Sequence, residues 1–192
     1  MFNFFNRFKQ PVKVLNKPDL KEKAVLTRTG KSASSNFKSN FVYTCLLQEN
    51  TQLENGDIIR AKTKLSREYH NYLIVSVRRA DESVQATAYQ CNGNAEIWRS
   101  KEVWDSNDDL VGSELTKVAE VPTNHVTVNS NMRLLDAGLL PSTTKEFRMP
   151  KCDIRLMDRI VLDGQNYCVD SIDTTKFDGL LAVQTSNDNR SL

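Results

Sequence analysis

Two aspartates hold the same place in a phrase that the chain uses twice, and a pair of carboxylates is the minimum equipment for general acid–base work. Asp57 lies in Asn55-Gly56-Asp57-Ile58-Ile59, and Asp158 lies in Met157-Asp158-Arg159-Ile160-Val161. Each stands at a turn, before a β-branched run. An aspartate there accepts backbone N–H groups and fixes the start of a strand, and that structural role is the better reading of both. Other chemistry has little material. His70 and His125 are the two histidines, and neither neighbours a cysteine in sequence, so a zinc site has weak support. Cys45, Cys91, Cys152 and Cys168 form no C-x-x-C pair. Cys45 and Cys168 sit in apolar runs, where thiols behave as small hydrophobes, and all four are read as reduced. Asp108-Asp109 reads as part of a solvated loop. The chain contains no G-x-S-x-G, H-E-x-x-H, P-loop or G-x-G-x-x-G motif. The expectation is a protein that is not an enzyme, with no catalytic residue, no metal and no cofactor.

Binding is the better prospect. The polar stretch Lys62 to Asn71 interrupts the first copy of the repeated phrase and has no counterpart in the second. Lys62, Lys64, Arg67, Tyr69 and His70 make it either an ordinary exposed hairpin extension, the plainer reading, or a candidate loop for touching a phosphate backbone without reading sequence. A second candidate set is Phe4, Phe5, Arg7, Phe8, Lys9 and Lys13. Phe4, Phe5 and Phe8 share one face if helical, which suits either a short amphipathic anchor or docking into a neighbouring subunit. Asn and Arg interrupt this cluster before a secretory apolar core can form, and no run has the ~18–20 apolar residues of a membrane span.

The 192 residues suit one or two domains. Residues 1–40 carry nine Lys/Arg against two acids, and the rest is net acidic, since the whole chain has a formal charge of +2. A basic arm ahead of an acidic body is the organisation this predicts. The acidic body argues against a dedicated DNA-binding surface but suits a conduit that lets DNA slide past.

Strand patterns dominate the body. Tyr72-Leu73-Ile74-Val75-Ser76-Val77 follows the first phrase and Tyr167-Cys168-Val169-Asp170-Ser171-Ile172 follows the second. A third run closes each copy, Val84 to Tyr89 and Leu180 to Thr185. The repeat predicts a mainly β fold of two small antiparallel barrel or sandwich units of similar plan, with minor helix and an extended basic N-terminal arm. The boundaries are an arm over 1–40, a first unit over 41–95, a polar bridge over 96–124 and a second unit over 125–192. Val12 to Leu15 and Ala24 to Thr27 are short strands within the arm. Met132 to Ala137 is a short helix with Ser130 or Asn131 as its cap. Trp98 and Trp104 are packing residues of the bridge.

The phrases Asn-Gly-Asp-Ile-Ile … Tyr-Leu-Ile-Val-Ser-Val and Met-Asp-Arg-Ile-Val-Leu-Asp-Gly-Gln-Asn-Tyr-Cys-Val-Asp-Ser-Ile-Asp resemble small β-barrel structural proteins of tailed bacteriophages, nearest the head-completion or stopper proteins of the head–tail connector. The resemblance covers roughly 41–92 and 145–188. It implies a virion protein, assembled in the host cytoplasm, that forms a homo-oligomeric ring in the phage neck. Its partners would be portal or adaptor and tail proteins, with genomic DNA passing without sequence readout and no membrane. It makes Lys62 to Asn71 the channel-facing loop and Phe2 to Lys17 the arm that clasps a neighbour. Typical stoppers are shorter and carry one barrel, so the second barrel and the arm depart from the pattern. A tail or baseplate component, or a non-enzymatic SH3-like or OB-like nucleic-acid-binding module, are the competing readings. The last would need stacking aromatics on an exposed sheet face, whereas Tyr72, Tyr89 and Tyr167 sit in core-facing patterns.

Overall fold

The computed structural model describes residues 8–28, 42–63, 68–80 and 83–190. The chain divides into two units: residues 1–92 with Phe177–Leu180, and residues 93–176 with 181–192. The first holds β1 (Gln10–Val14), β2 (Lys21–Arg28), β3 (Val42–Leu47), β4 (Ile58–Ala61), β5 (His70–Ala80) and β6 (Ser83–Gln90). The second contains β7 (Gly93–Trp104), β8 (Leu110–Thr127), the helix α1 (Ser130–Leu135), β9 (Lys145–Pro150), β10 (Arg159–Leu162), β11 (Gln165–Asp173) and β12 (Leu180–Asn187).

Each set of six strands closes into an antiparallel barrel. The order around the first is β1-β2-β3-β6-β5-β4, and around the second β7-β8-β9-β12-β11-β10. Raising every strand number of the first by six gives the second, so the two barrels share one topology. Closure removes the free sheet edges that a small β unit would otherwise expose. The predicted β class and two-unit plan hold.

Alternation sets the interior. In β1 the buried residues are Val12 and Val14, with Pro11 and Lys13 facing out. Tyr72, Ile74, Ile59, Leu47 and Val84 fill the first barrel. The ring of Tyr43 meets that of Tyr72 edge-on at 5.0 Å. Phe147, Met149, Ile97, Ile160 and Val183 fill the second, where Phe147 meets Tyr167 edge-on at 5.8 Å. Cys45 and Cys168 are buried, and all four thiols are free. Both long hairpins carry a bulge at the same place, between Ile74 and Ser76 in β5 and between Val169 and Ser171 in β11. A bulge bends the strand and sharpens its twist, which a barrel of so few strands requires to close.

Three boundaries are corrected. The expected arm over 1–40 contains β1 and β2, which pair with β4 and β3 as staves of the first barrel. Four of its nine Lys/Arg residues, Lys13, Lys21, Lys23 and Arg28, stand at exposed positions of those strands. The expected bridge over 96–124 is most of β7 and β8, and β7 pairs with β10 from Glu96 to Trp98. The second unit thus begins at Gly93, not at 125. The helix cap is Asn129, whose side chain accepts from the Met132 N–H at 2.9 Å, rather than Ser130 or Asn131.

Candidate nucleic-acid interface

The two equivalent aspartates come first, because their geometry decides what they are for. Asp57 Oδ2 accepts the Glu54 N–H at 2.8 Å and the Lys17 ammonium at 3.0 Å, while Oδ1 accepts the Asn16 side-chain amide at 2.7 Å. Asp158 Oδ2 accepts the Arg155 N–H at 2.8 Å and Arg99 Nη2 at 2.8 Å, while Oδ1 accepts Arg99 Nε at 2.9 Å. Both carboxylates are only 3 % exposed. The register places Val14 opposite Ile59 and Ile97 opposite Ile160, so Asn16 and Arg99 hold equivalent positions. The amide of Asn16 and the ammonium of Lys17 together supply what one guanidinium supplies in the second barrel. Each aspartate clamps the turn before its strand, and each main chain then joins the β5 or β11 ladder, Ile74 N–H to Asp57 O at 2.8 Å and Val169 N–H to Asp158 O at 3.0 Å. Their donors are satisfied and their surfaces are closed, so they are structural groups.

The outward face of the first barrel is different. Lys13 lies opposite Lys21 on one side and Arg60 on the other, and Arg60 lies opposite Asn71. Lys21, Lys13 and Arg60 are all exposed, so three cations line up across three neighbouring strands. Lys23, opposite Pro11, and Lys62, just past the end of β4 and two residues beyond Arg60, continue the patch. Directly opposed side chains have Cβ atoms ~4.5–5.5 Å apart, and like charges so placed repel by a few tenths of a kcal/mol or more. Among the described residues none of these five cations forms a salt bridge. Lys17, Arg99, Lys117, Arg159, Lys176 and Arg190, by contrast, each hold a carboxylate within 3.0 Å. A row of adjacent exposed cations with no carboxylate partner among the described residues has the composition of a surface for an anionic partner.

Tyr69 completes the patch. Its ring is 58 % exposed, with Lys62 Nζ 4.5 Å and Arg60 Cζ 5.7 Å from its centroid. Cation–π contact steadies the two long side chains without consuming their charge. His70 opens β5 opposite Ala61, half-buried, and the acid Glu68 flanks it.

The two predicted sets therefore meet in part. Lys13, predicted as an arm residue, and Lys62 and Tyr69, predicted as loop residues, occupy one face. Phe8 and Lys9 immediately precede β1. Lys64, Arg67, Phe4, Phe5 and Arg7 lie outside the described residues. Sequence reasoning missed Lys21, Lys23 and Arg60. The signal was the alternation Lys21-Glu22-Lys23, whose middle residue is buried and accepts from Gln48 Nε2 and Gln52 N–H. Trp104, expected to pack, is 54 % exposed. Among the described residues no group of three or more His, Cys, Asp or Glu is placed to hold a metal, and no helix is long and apolar enough to cross a membrane. Comparison of the chain with known protein families, curated proteins and solved structures finds no match to any of them.

Proposed function

We propose that the protein is a non-enzymatic structural subunit of a tailed-phage virion, assembled as a ring in the head–tail connector, with the cationic face of its first barrel turned toward passing DNA. The observation that carries the DNA part is the row Lys21–Lys13–Arg60, extended by Lys23 and Lys62 and free of salt bridges among the described residues. Four of its five cations are lysines, point charges that meet phosphates without reading base edges, so the contact is chiefly electrostatic and sequence-independent. A handful of cations gives weak binding at physiological salt, which suits a conduit better than a clamp. The neck assignment is supported by the resemblance of both turn–strand phrases to connector barrels. A ring arises when two different patches of one subunit join and the rotation closes.

A nucleic-acid-binding module of SH3-like or OB-like type is the competitor, and one observation weighs against it. Tyr72 and Tyr167 are core residues and Tyr89, expected to face the core, is half-buried, which leaves Tyr69, among the described residues, as the exposed aromatic beside the cationic row. Base stacking along a strand needs several.

Light scattering on the full chain, alone and mixed with a portal-and-adaptor complex, tests the neck assignment. Recruitment in a fixed multiple of copies is expected. A chain that ignores the portal complex and joins a tail-tube or baseplate complex moves the protein along the virion, and one that joins neither overturns the virion reading.

A further inference from the structure

The second barrel carries an extension with no equivalent among the described residues of the first. β7 pairs with β10 only from Glu96 to Trp98, and β8 pairs with β9 only from Asn124 to Thr127. Beyond those points β7 and β8 pair with each other alone, out to Trp104 opposite Leu110. From Ser100 to Trp104 and from Leu110 to Glu114 every residue is exposed. This is a two-stranded ribbon with solvent on both faces, and residues 99–104 at ~3.3 Å each carry it roughly 20 Å past the last barrel pairing. A lone two-stranded ribbon is marginal in water without a surface to pack on.

Its tip is apolar where a free ribbon would be polar. Trp104 and Leu110 face each other across the strands, 54 % and 56 % exposed, and Val111, at the bulge, is 62 % exposed. Around them stand Glu102, Asp105, Asp108, Asp109 and Glu114, with Lys101 as the one cation of 101–114, a net charge of −4. Asp105 Oδ1 accepts the N–H groups of Asn107 and Asp109 at 2.8 and 3.0 Å, which fixes the turn and keeps the tip in one shape.

We propose that this tip is an assembly surface that takes residues Phe2–Lys9 of a second copy of the same chain. Phe2, Phe4, Phe5 and Phe8 supply apolar rings for Trp104, Leu110 and Val111, and Arg7 and Lys9 supply charge opposite to the tip, with no acid among them. Two tips repel each other, so tip-to-tip pairing is disfavoured and the acidic residues guard the ribbon edges against indiscriminate strand addition. The contact joins two different patches and is therefore heterologous, the kind that builds a ring. It rests on the self-assembly part of the function proposed above and names the surfaces that carry it.

The test uses the full chain with p-benzoylphenylalanine at position 104, mixed as 15N-labelled and unlabelled copies, irradiated and mapped by mass spectrometry. Cross-links into residues 2–9 between unlike isotopic copies are expected, together with a light-scattering mass that rises with concentration. Trp104→Ser and Arg7→Glu should each weaken association about tenfold or more with far-UV circular dichroism unchanged, since a central aromatic or arginine anchor is worth at least that. Asp108→Lys with Asp109→Lys should restore association to Arg7→Glu. A monomer at all concentrations, cross-links within one copy, cross-links to another segment, or failure of the charge swap overturns the proposal. DNA binding is assigned to the cationic face of the first barrel, so its persistence in that event would leave that part of the functional reading standing.

Discussion

Replacing Asp158 by asparagine tests whether the repeated aspartate is a structural clamp. In the native protein its carboxylate accepts three hydrogen bonds, two from Arg99 and one from the Arg155 N–H, with almost no access to water. Asparagine keeps one acceptor oxygen but turns an N–H₂ toward groups that can only donate. Removing one partner of a buried ion pair costs about 3–5 kcal/mol. The lower end applies, because Arg99 is 16 % exposed and keeps Asp153 at 3.0 Å. The expected loss is about 3 kcal/mol. Asp57→Asn should cost less, about 2 kcal/mol, because Lys17 is a third exposed and can turn to Glu54 or water. Trp98 pairs with Arg159, beside Asp158, so in a Trp104→Phe background the urea transition followed by tryptophan fluorescence reports the second barrel, where the Asp158 effect belongs. A variant within about 0.5 kcal/mol of the parent, the range of an ordinary surface change, would refute the clamp.

Met157 occupies the left-handed region at φ 68°, where its counterpart in the first barrel is Gly56 at φ 91°. The methionine side chain is 61 % exposed, so Met157→Gly relieves strain while losing little packing, and a gain of about 0.5–1 kcal/mol is expected as a higher melting temperature. Asp188 is held well below the usual carboxylate range by Arg190 first and then Arg159, both within 2.8 Å. A carboxyl whose folded pKa is depressed stabilises the fold above its unfolded value of ~3.9, and that contribution fades as pH falls below ~4 toward the folded pKa. Thermal melts from pH 6 to 2 should therefore show Asp188→Asn closing its stability gap with the parent as pH drops, and a constant gap would contradict this. Burial pushes the Cys45 and Cys91 thiols up to about 12, so neither should react with Ellman's reagent at pH 8 until denaturant is added.

Much of the fold was legible, and the unread parts have physical causes. Turn-forming Asn55-Gly56, just ahead of Ile58-Ile59, announced β4, and Asp163-Gly164, between Ile160-Val161-Leu162 and the run from Tyr167, announced the β10–β11 hairpin. The repeat was legible because three consecutive strands in each barrel are short apolar runs set off by turns. β1 and β2 were read as arm strands because their outward positions carry lysines, and a charged face outweighs two or three buried valines in a composition window. The β7–β8 ribbon was read as a linker because both of its faces meet solvent, which erases the alternation by which a strand is recognised. The cationic face was half legible: Lys62 and Tyr69 are neighbours of the insertion, but Lys13, Lys21 and Lys23 join them only through strand pairing across more than thirty residues of sequence. Asn16 shows the same limit, since its equivalence to Arg99 appears only in the register.

The most direct test of the central claim is the salt dependence of DNA binding by the full chain, measured by fluorescence anisotropy on duplexes of unrelated sequence. The account predicts weak binding indifferent to sequence, with log K falling against log salt at a slope of roughly −4 to −5, about 0.9 for each of five phosphates neutralised. Lys13→Gln, Arg60→Gln and Lys62→Gln should each reduce that slope by about 1, alike on every sequence. No binding at low salt, or a slope unmoved by these three substitutions, would contradict it.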